Sequence, residues 1–330
     1  MNGKLLKEFK NPSNKYRGKP FWAWNGKLEP EELRRQIRVM DQMGLGGFFM
    51  HSRVGLGTPY LSDEWFECVD ACIDEAEKLN MEAWMYDEDR WPSGAAGGLV
   101  TKNPEYRMRF LRMEEADDLD ALRWTGDVLA VFTARVKGNE ATRVKRIARK
   151  ERPERLKRWE KLLIFRVEIM ENNSWYNGYT YLDTMDDEAV AEFIRVTHEE
   201  YRKRCGKHFG KRIPGMFTDE PNVQTVESFQ MDNAFPWTRQ MLEKFEERYG
   251  YDLLDHLPEI YFNVDGQPMT PARLDYRDCL THLFVENFSK QISDWCEKNK
   301  LLHTGHVLWE ELLSSCTRAS GSAMRFLMHM

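Results

Sequence analysis

Phe21-Trp22-Ala23-Trp24-Asn25, Gly47-Phe48-Phe49-Met50-His51 and the stretch from Met81 to Asp87 are short apolar runs separated by two helical patterns. Runs of this length, rich in aromatic residues and bounded by turn formers, read as strands. Between the first two, Pro30 opens a helix, Leu33, Ile37 and Met40 recur on one face, and Gly44 supplies the stop. Between the second and third, Ser62 is placed to cap a helix with Asp63 and Glu64 in its first turn. Trp65, Val69, Cys72, Ile73 and Ala76 form its apolar side. This strand–helix alternation is the pattern of a parallel α/β sheet or barrel.

After Asp87 the rhythm breaks at the polar stretch Glu88-Asp89-Arg90-Trp91-Pro92-Ser93-Gly94, and Gly97 and Gly98 follow. Residues 101–182 then read as a β-rich insertion, with period-two alternation at Asp127 to Val136 and Leu162 to Ile169. The basic run Arg143 to Lys161, with its interspersed glutamates, reads as a solvated helical face rather than a polyanion site. Barrel rhythm resumes over 183–330, continuing the part begun in 1–100. Thr184 is expected to cap a long helix to about Cys205, and Ile213 to Pro221 forms a fourth strand with an acidic end. Helices follow near Pro236 to Tyr249 and Pro271 to Asn299. His303 to Glu310 reads as a fifth strand and Met324 to Met330 as the start of a sixth.

The chain has 330 residues, 42% hydrophobic and 31% charged, a composition that excludes a disordered or collagen-like protein. Lys plus Arg number 48 against 54 Asp plus Glu, a formal charge of −6, so no global positive field recruits nucleic acid or a membrane surface. Nothing in the composition speaks to oligomeric state. The six cysteines make no CxxC pair and no zinc spacing, and neither a leader-like apolar segment nor an 18-residue apolar run is present, so a reducing cytoplasm is the expected location.

In parallel α/β barrels reactive groups gather at the C-terminal ends of strands, which singles out Asp87, Glu88 and Asp89, Asp219 and Glu220, and Glu310 and Glu311. Alternation puts Met216, Thr218 and Glu220 on one strand face and Thr304, His306, Leu308 and Glu310 on one face of another. Glu220 and Glu310 are therefore expected to approach across the top. A carboxyl pair of this kind suits glycoside hydrolysis, one acid protonating the leaving oxygen while the other activates water or attacks the sugar. A metal-dependent hydrolase is the rival built from His51, His306, Asp87 and Asp89, but His303 and His306 fall on opposite strand faces. Trp22, Trp24, Asn25 and Trp91 supply flat and polar surfaces for a sugar, with Trp84 and Tyr86 beside them. Arg53 and Lys102 are open to two readings, holding a carboxylate or hydroxyl or simply sitting in water.

Pro20 to Gly26, Gly46 to Arg53, Tyr86 to Gly94, Phe217 to Pro221 and Thr304 to Glu311, taken in order, resemble glycoside hydrolase family 106, the α-L-rhamnosidase group. The resemblance implies a (β/α)₈ barrel of TIM type, present in part, and inverting hydrolysis of terminal α-L-rhamnosides or related deoxysugar glycosides by two carboxylates. Glu220 looks like the general acid, Glu310 like a candidate base, and Glu311 is next in line. His51, Arg53, Asp87, Asp89, Asp219 and His306 join Trp22, Trp24, Asn25 and Trp91 as substrate-binding candidates. No cofactor is required, although bound calcium is a family feature, with its ligands unknown. Members of the group are much longer, so the chain reads as a truncated one, which leaves the activity of the 330-residue chain open. A noncatalytic carbohydrate-binding or assembly subunit is the alternative from another class.

Overall fold

The computed structural model describes residues 3–224 and 234–330. After a short helix, α1 (Gly3–Lys10), the chain lays down β1 (Phe21–Trp24), α2 (Pro30–Gln42), β2 (Gly47–Ser52), α3 (Asp63–Lys78) and β3 (Glu82–Tyr86). The local causes are those the sequence advertises. Pro30 sits in the first turn of α2, and the Ser62 hydroxyl accepts from the Trp65 amide at the start of α3. Leu33 and Ile37 face the buried faces of Trp65, Val69, Cys72 and Ile73 in one core.

An antiparallel excursion follows, with β4 (Arg109–Ala116), β5 (Val128–Lys137), β6 (Glu140–Ile147) and β7 (Lys161–Ile169). The chain then returns through α4 (Asp187–Val196) and α5 (His198–Cys205) to β8 (Gly215–Thr218). Later come β9 (Ala234–Trp237), β10 (Asn263–Val264) and β11 (Leu302–Gly305). The strands form two sheets. One is wholly parallel, in the order β1-β2-β3-β8-β11, and the other runs β10-β6-β5-β7-β4-β9. The second sheet thus takes its two outer strands from beyond residue 182. The result is a mixed α/β fold.

Strand alternation sorts the parallel sheet into two faces. Trp22, Trp24, Phe48, Met50, Ala83, Met85 and Met216 are buried with the helices. Phe21, Phe49, Trp84 and Phe217 lie on the other face, where Phe21 meets Phe217 at 4.7 Å between ring centroids and Phe49 meets Trp84 at 5.2 Å. Phe21 remains 49% exposed, so this second face is an aromatic surface open to solvent along its β1 edge. Gly215 permits the packing, because a Cβ there would overlap the Trp84 ring. Among the described residues no helix is long and apolar enough to cross a membrane.

Several local expectations are corrected. Arg143 to Ile147 belongs to β6, Lys161 opens β7 and the stretch between them is loop, so the charges lie on strands and a loop rather than on a helix. Thr184 is not a cap: its hydroxyl donates to the Asn222 carbonyl, while Asp186 caps α4 with bonds to the Glu188 and Ala189 amides. A break at Thr197 divides α4 from α5. Pro236 lies in edge strand β9, where a missing amide proton is tolerated, and the helix starts at Met241. β11 ends at Gly305, so His306 to Glu310 is a turn and not a shared strand face. The last segment forms a short helix, Ala323–Leu327, begun by the Ser322 hydroxyl.

Trp65 is 1% exposed and packs edge-on against Trp24 at 5.0 Å and Tyr60 at 5.2 Å. Trp65→Ala is expected to destabilise the chain by about 3–5 kcal/mol, the usual cost of an unfilled aromatic cavity. Urea unfolding of the two proteins checks this, and a midpoint unchanged within error contradicts the packing.

Candidate active site

The C-terminal ends of β2, β3 and β8 converge on Asp219. Its Oδ2 accepts from the Tyr86 hydroxyl at 2.9 Å and lies 3.4 Å from His51 Nε2. The His51 and Tyr86 rings stack at 3.9 Å. His51 Nδ1 is 3.0 Å from the Ser52 carbonyl, which can only accept, so the proton on that nitrogen is fixed. Nε2 is left to face the Asp219 carboxylate.

Continued alternation would send Glu220 to the same side as Thr218, among the helices. The backbone does otherwise: Glu220 has φ 46, in the left-handed region, which costs a non-glycine residue on the order of 1–3 kcal/mol. The turn brings Glu220 Oε2 to the Trp91 indole, which donates to it, and leaves the side chain half-buried. Burial pushes its carboxyl above the ordinary range; the Trp91 bond opposes this, the Asp219 charge adds to it, His306 lowers it and Glu311 raises it. Glu310 is engaged within its own turn, with Oε1 3.0 Å from His306 Nδ1 and Oε2 accepting from the Val307 amide at 3.2 Å. Glu311 is exposed.

Behind this group, on the helix side, Asp87 is fully buried. Its Oδ1 accepts from the Ser93 hydroxyl at 2.5 Å, and Ser93 Oγ in turn accepts from the Asp219 amide at 2.8 Å. Its Oδ2 lies 2.6 Å from Thr218 Oγ1, which lies 3.1 Å from His303 Nε2. His303 Nδ1 faces the His329 carbonyl at 3.0 Å and must donate to it. A neutral His303 therefore accepts at Nε2 from Thr218, and Thr218 accepts from a protonated Asp87. With Asp87 ionised, Thr218 donates to its Oδ2 instead and leaves Nε2 of a neutral His303 without a donor. Burial favours the neutral arrangement, raising Asp87 to about 7 and lowering His303 to about 4. His198, pushed down to about 3 by burial, stands 4.0 Å from Asp87 Oδ2 with its Nε2 unpartnered.

Other expected site residues are dispersed. Trp22 and Trp24 lie in the helix-side core, 8% and 2% exposed, and the Trp22 indole donates to Gln36 at 2.8 Å. They cannot present a ring to a ligand. Asn25 and Arg53 are exposed at the ends of β1 and β2, and Lys102 is exposed in the loop leading to the insertion. Asp89 is buried and holds Arg90 Nε at 3.0 Å and Asn177 Nδ2 at 3.2 Å. Glu88 takes four backbone amides, those of Asp89, Gly94, Ala96 and Gly97, and so shapes the loop that carries Trp91. Residues missed in the sequence include Ser93, Thr218, Trp175 and Asn177. Alternation from Met216 marks Thr218 as helix-facing, but nothing local marks the Trp175 bond to the Trp91 carbonyl at 2.6 Å. Among the described residues no three His, Cys, Asp or Glu side chains group as a metal cage would need.

Comparison with known proteins bears on this arrangement. Residues 176–314 match the model of the alpha-L-rhamnosidase family, glycoside hydrolase family 106. The matched segment carries Asp219, Glu220, His306, Glu310 and Glu311, together with Asn177. No curated protein matches the chain. Among solved structures, a rhamnosidase from Novosphingobium sp. PP1Y shares the fold with a TM-score of 0.63 at 14% identity, over 98% of this chain and 48% of that one. The chain thus spans about half the length of that relative.

The proton bookkeeping around Asp87 is testable. Nitrogen chemical shifts of His303 at pH 6 are expected to show a neutral ring protonated at Nδ1; an imidazolium signature contradicts the assignment. Stability gives a second check. A carboxyl raised to about 7 when folded stabilises fully below its unfolded pKa, about 4, and that contribution is lost as pH rises through 7. Wild type should therefore lose stability relative to Asp87→Asn between pH 5 and pH 8, as read by urea unfolding at both.

Proposed function

We propose that the chain is the catalytic part of a glycoside hydrolase acting on terminal α-L-rhamnosides or related deoxysugar glycosides, with Glu220 as general acid. The observation that carries this is the Glu220 environment: a half-buried carboxyl with a raised pKa, on a strained strand end, within the matched segment. A raised pKa favours the protonated form, as proton delivery to a leaving oxygen requires. The Trp91 indole orients it and limits the rise. Asp219, held by Tyr86 and Ser93, adds negative charge beside the site, which favours the electron-poor sugar of an oxocarbenium-like transition state.

Glu311 is the better candidate for the second carboxylate, since its charge is felt at Glu220 while both Glu310 oxygens are bound in their own turn. On this reading a water activated by that carboxylate attacks the anomeric carbon, the bond to the leaving oxygen breaks as Glu220 protonates it, and configuration inverts. The five parallel strands, in chain order, support an arc of a (β/α)₈ barrel whose open aromatic face is its interior. Six buried free cysteines support a reducing cytoplasm.

Turnover of an aryl α-L-rhamnoside tests the proposal. Glu220→Gln should lower kcat by about 10²–10⁴-fold, the range of general-acid contributions, with folding retained. Binding of the sugar without turnover by the unaltered chain would sink the catalytic reading in favour of a carbohydrate-binding subunit. The pH profile adds a signed check. Activity falls on the alkaline side as Glu220 loses its proton, and the Trp91 bond favours the ionised form. Trp91→Phe should move that limb to higher pH; a shift to lower pH is incompatible with the assigned role.

A further inference from the structure

We propose that the pocket between the loops following β2 and β3 is a second saccharide subsite, which takes one pyranose ring of a glycan through two neighbouring hydroxyls. The proposal rests on the hydrolase reading of Glu220 and adds a site to it. The pocket has a volume of about 280 Å³, close to the lower end of small-molecule sites. Its lining includes the apolar Leu56, Pro59 and Leu99 and, on the polar side, Asp89, Arg90 and Asn177 together with Thr58 and Tyr60. Glu220, Asp219, Trp91 and His306 do not line it, so it is separate from the acid's own surroundings.

The polar set is built rather than incidental. Asp89 is 5% exposed, and its Oδ2 is taken by Arg90 Nε and by Asn177 Nδ2, which also donates to the Gly97 carbonyl at 2.9 Å. Gly97 makes this contact possible: it has φ +59, and a Cβ there would meet Asp89 Cβ at 2.9 Å and Asn177 Nδ2 at 3.2 Å. Once those bonds are made, Asp89 Oδ1 and both terminal nitrogens of Arg90 have no further partner among the described residues. A charged acceptor and charged donors on adjacent residues suit a group that donates and accepts side by side. Two vicinal hydroxyls do this, one donating to the carboxylate and the other accepting from the guanidinium. An anion would meet the Asp89 charge and a cation that of Arg90, so the chemistry selects a neutral polyol. The aliphatic lining covers the C–H face of a sugar ring.

Calorimetry on the full chain compares methyl α-L-rhamnopyranoside with a disaccharide of rhamnose linked to glucose. The disaccharide should bind at least about tenfold more tightly, the equivalent of one charge-assisted hydrogen bond. Asp89→Asn, which removes the charge, and Leu56→Trp, which fills the pocket without touching the polar set, should each bring the affinity ratio to about one. Glu220→Gln should leave the ratio in place. Equal affinities in the unaltered chain, or a ratio that survives both pocket variants, overturn the subsite. If the monosaccharide glycoside is still turned over in a Glu220-dependent way, only the subsite falls. If neither sugar binds and no turnover is seen, the hydrolase reading falls with it.

Discussion

The Asp87 carboxyl has no contact with solvent, and it joins the parts of the chain on which the candidate site depends. β3 and β8 share only two ladder pairs, Met85 with Met216 and Tyr86 with Phe217, although the four antiparallel strands β4 to β7 intervene between them in sequence. Asp87 adds the side-chain tie, to Thr218 directly and to the Asp219 amide through Ser93. A fully buried acid is costly unless its lone pairs and proton are all placed. Here they are placed against β8, so the side chain whose pKa desolvation raises also fixes the segment bearing Asp219 and Glu220.

Three successive residues of that segment enter three environments. Thr218 faces the helices, Asp219 faces Tyr86 and His51, and Glu220 leaves the strand geometry to reach Trp91. Only the last is half-buried beside an aromatic donor, and burial raises its pKa while it stays in reach of solvent. Acid chemistry needs this combination, since a fully buried acid such as Asp87 cannot meet a substrate and a fully exposed one is ionised at neutral pH.

The segment that returns from the antiparallel strands has a part in the site. Tyr181 donates to the Ser93 carbonyl at 2.7 Å, Trp175 donates to the Trp91 carbonyl, and Asn177 reaches Asp89 and Gly97. These bonds come from the end of the excursion and buttress the loop after β3 from outside. Glu88 holds the same loop from within by its four amides. The loop is therefore fixed from both sides without regular secondary structure of its own.

By itself the sequence determined the elements whose signals are local. Strand runs at Phe21, Gly47 and Glu82, the Pro30 and Ser62 helix starts and the acidic strand end at Asp219 and Glu220 depend on periodicity, capping and turn chemistry within a few residues. Where alternation was extended too far, it misled. His306 to Glu310 is a turn because β11 stops at Gly305, and Trp22 and Trp24 belong to the core because their face meets α3 and not the strand-end cleft. Only the tertiary structure decided that Asp87 lies behind the site, that Glu220 turns toward Trp91, and that Asn177 meets Asp89 across 88 positions of chain. Those outcomes depend on which groups lose water together, a property of the packed whole that no short window of sequence contains.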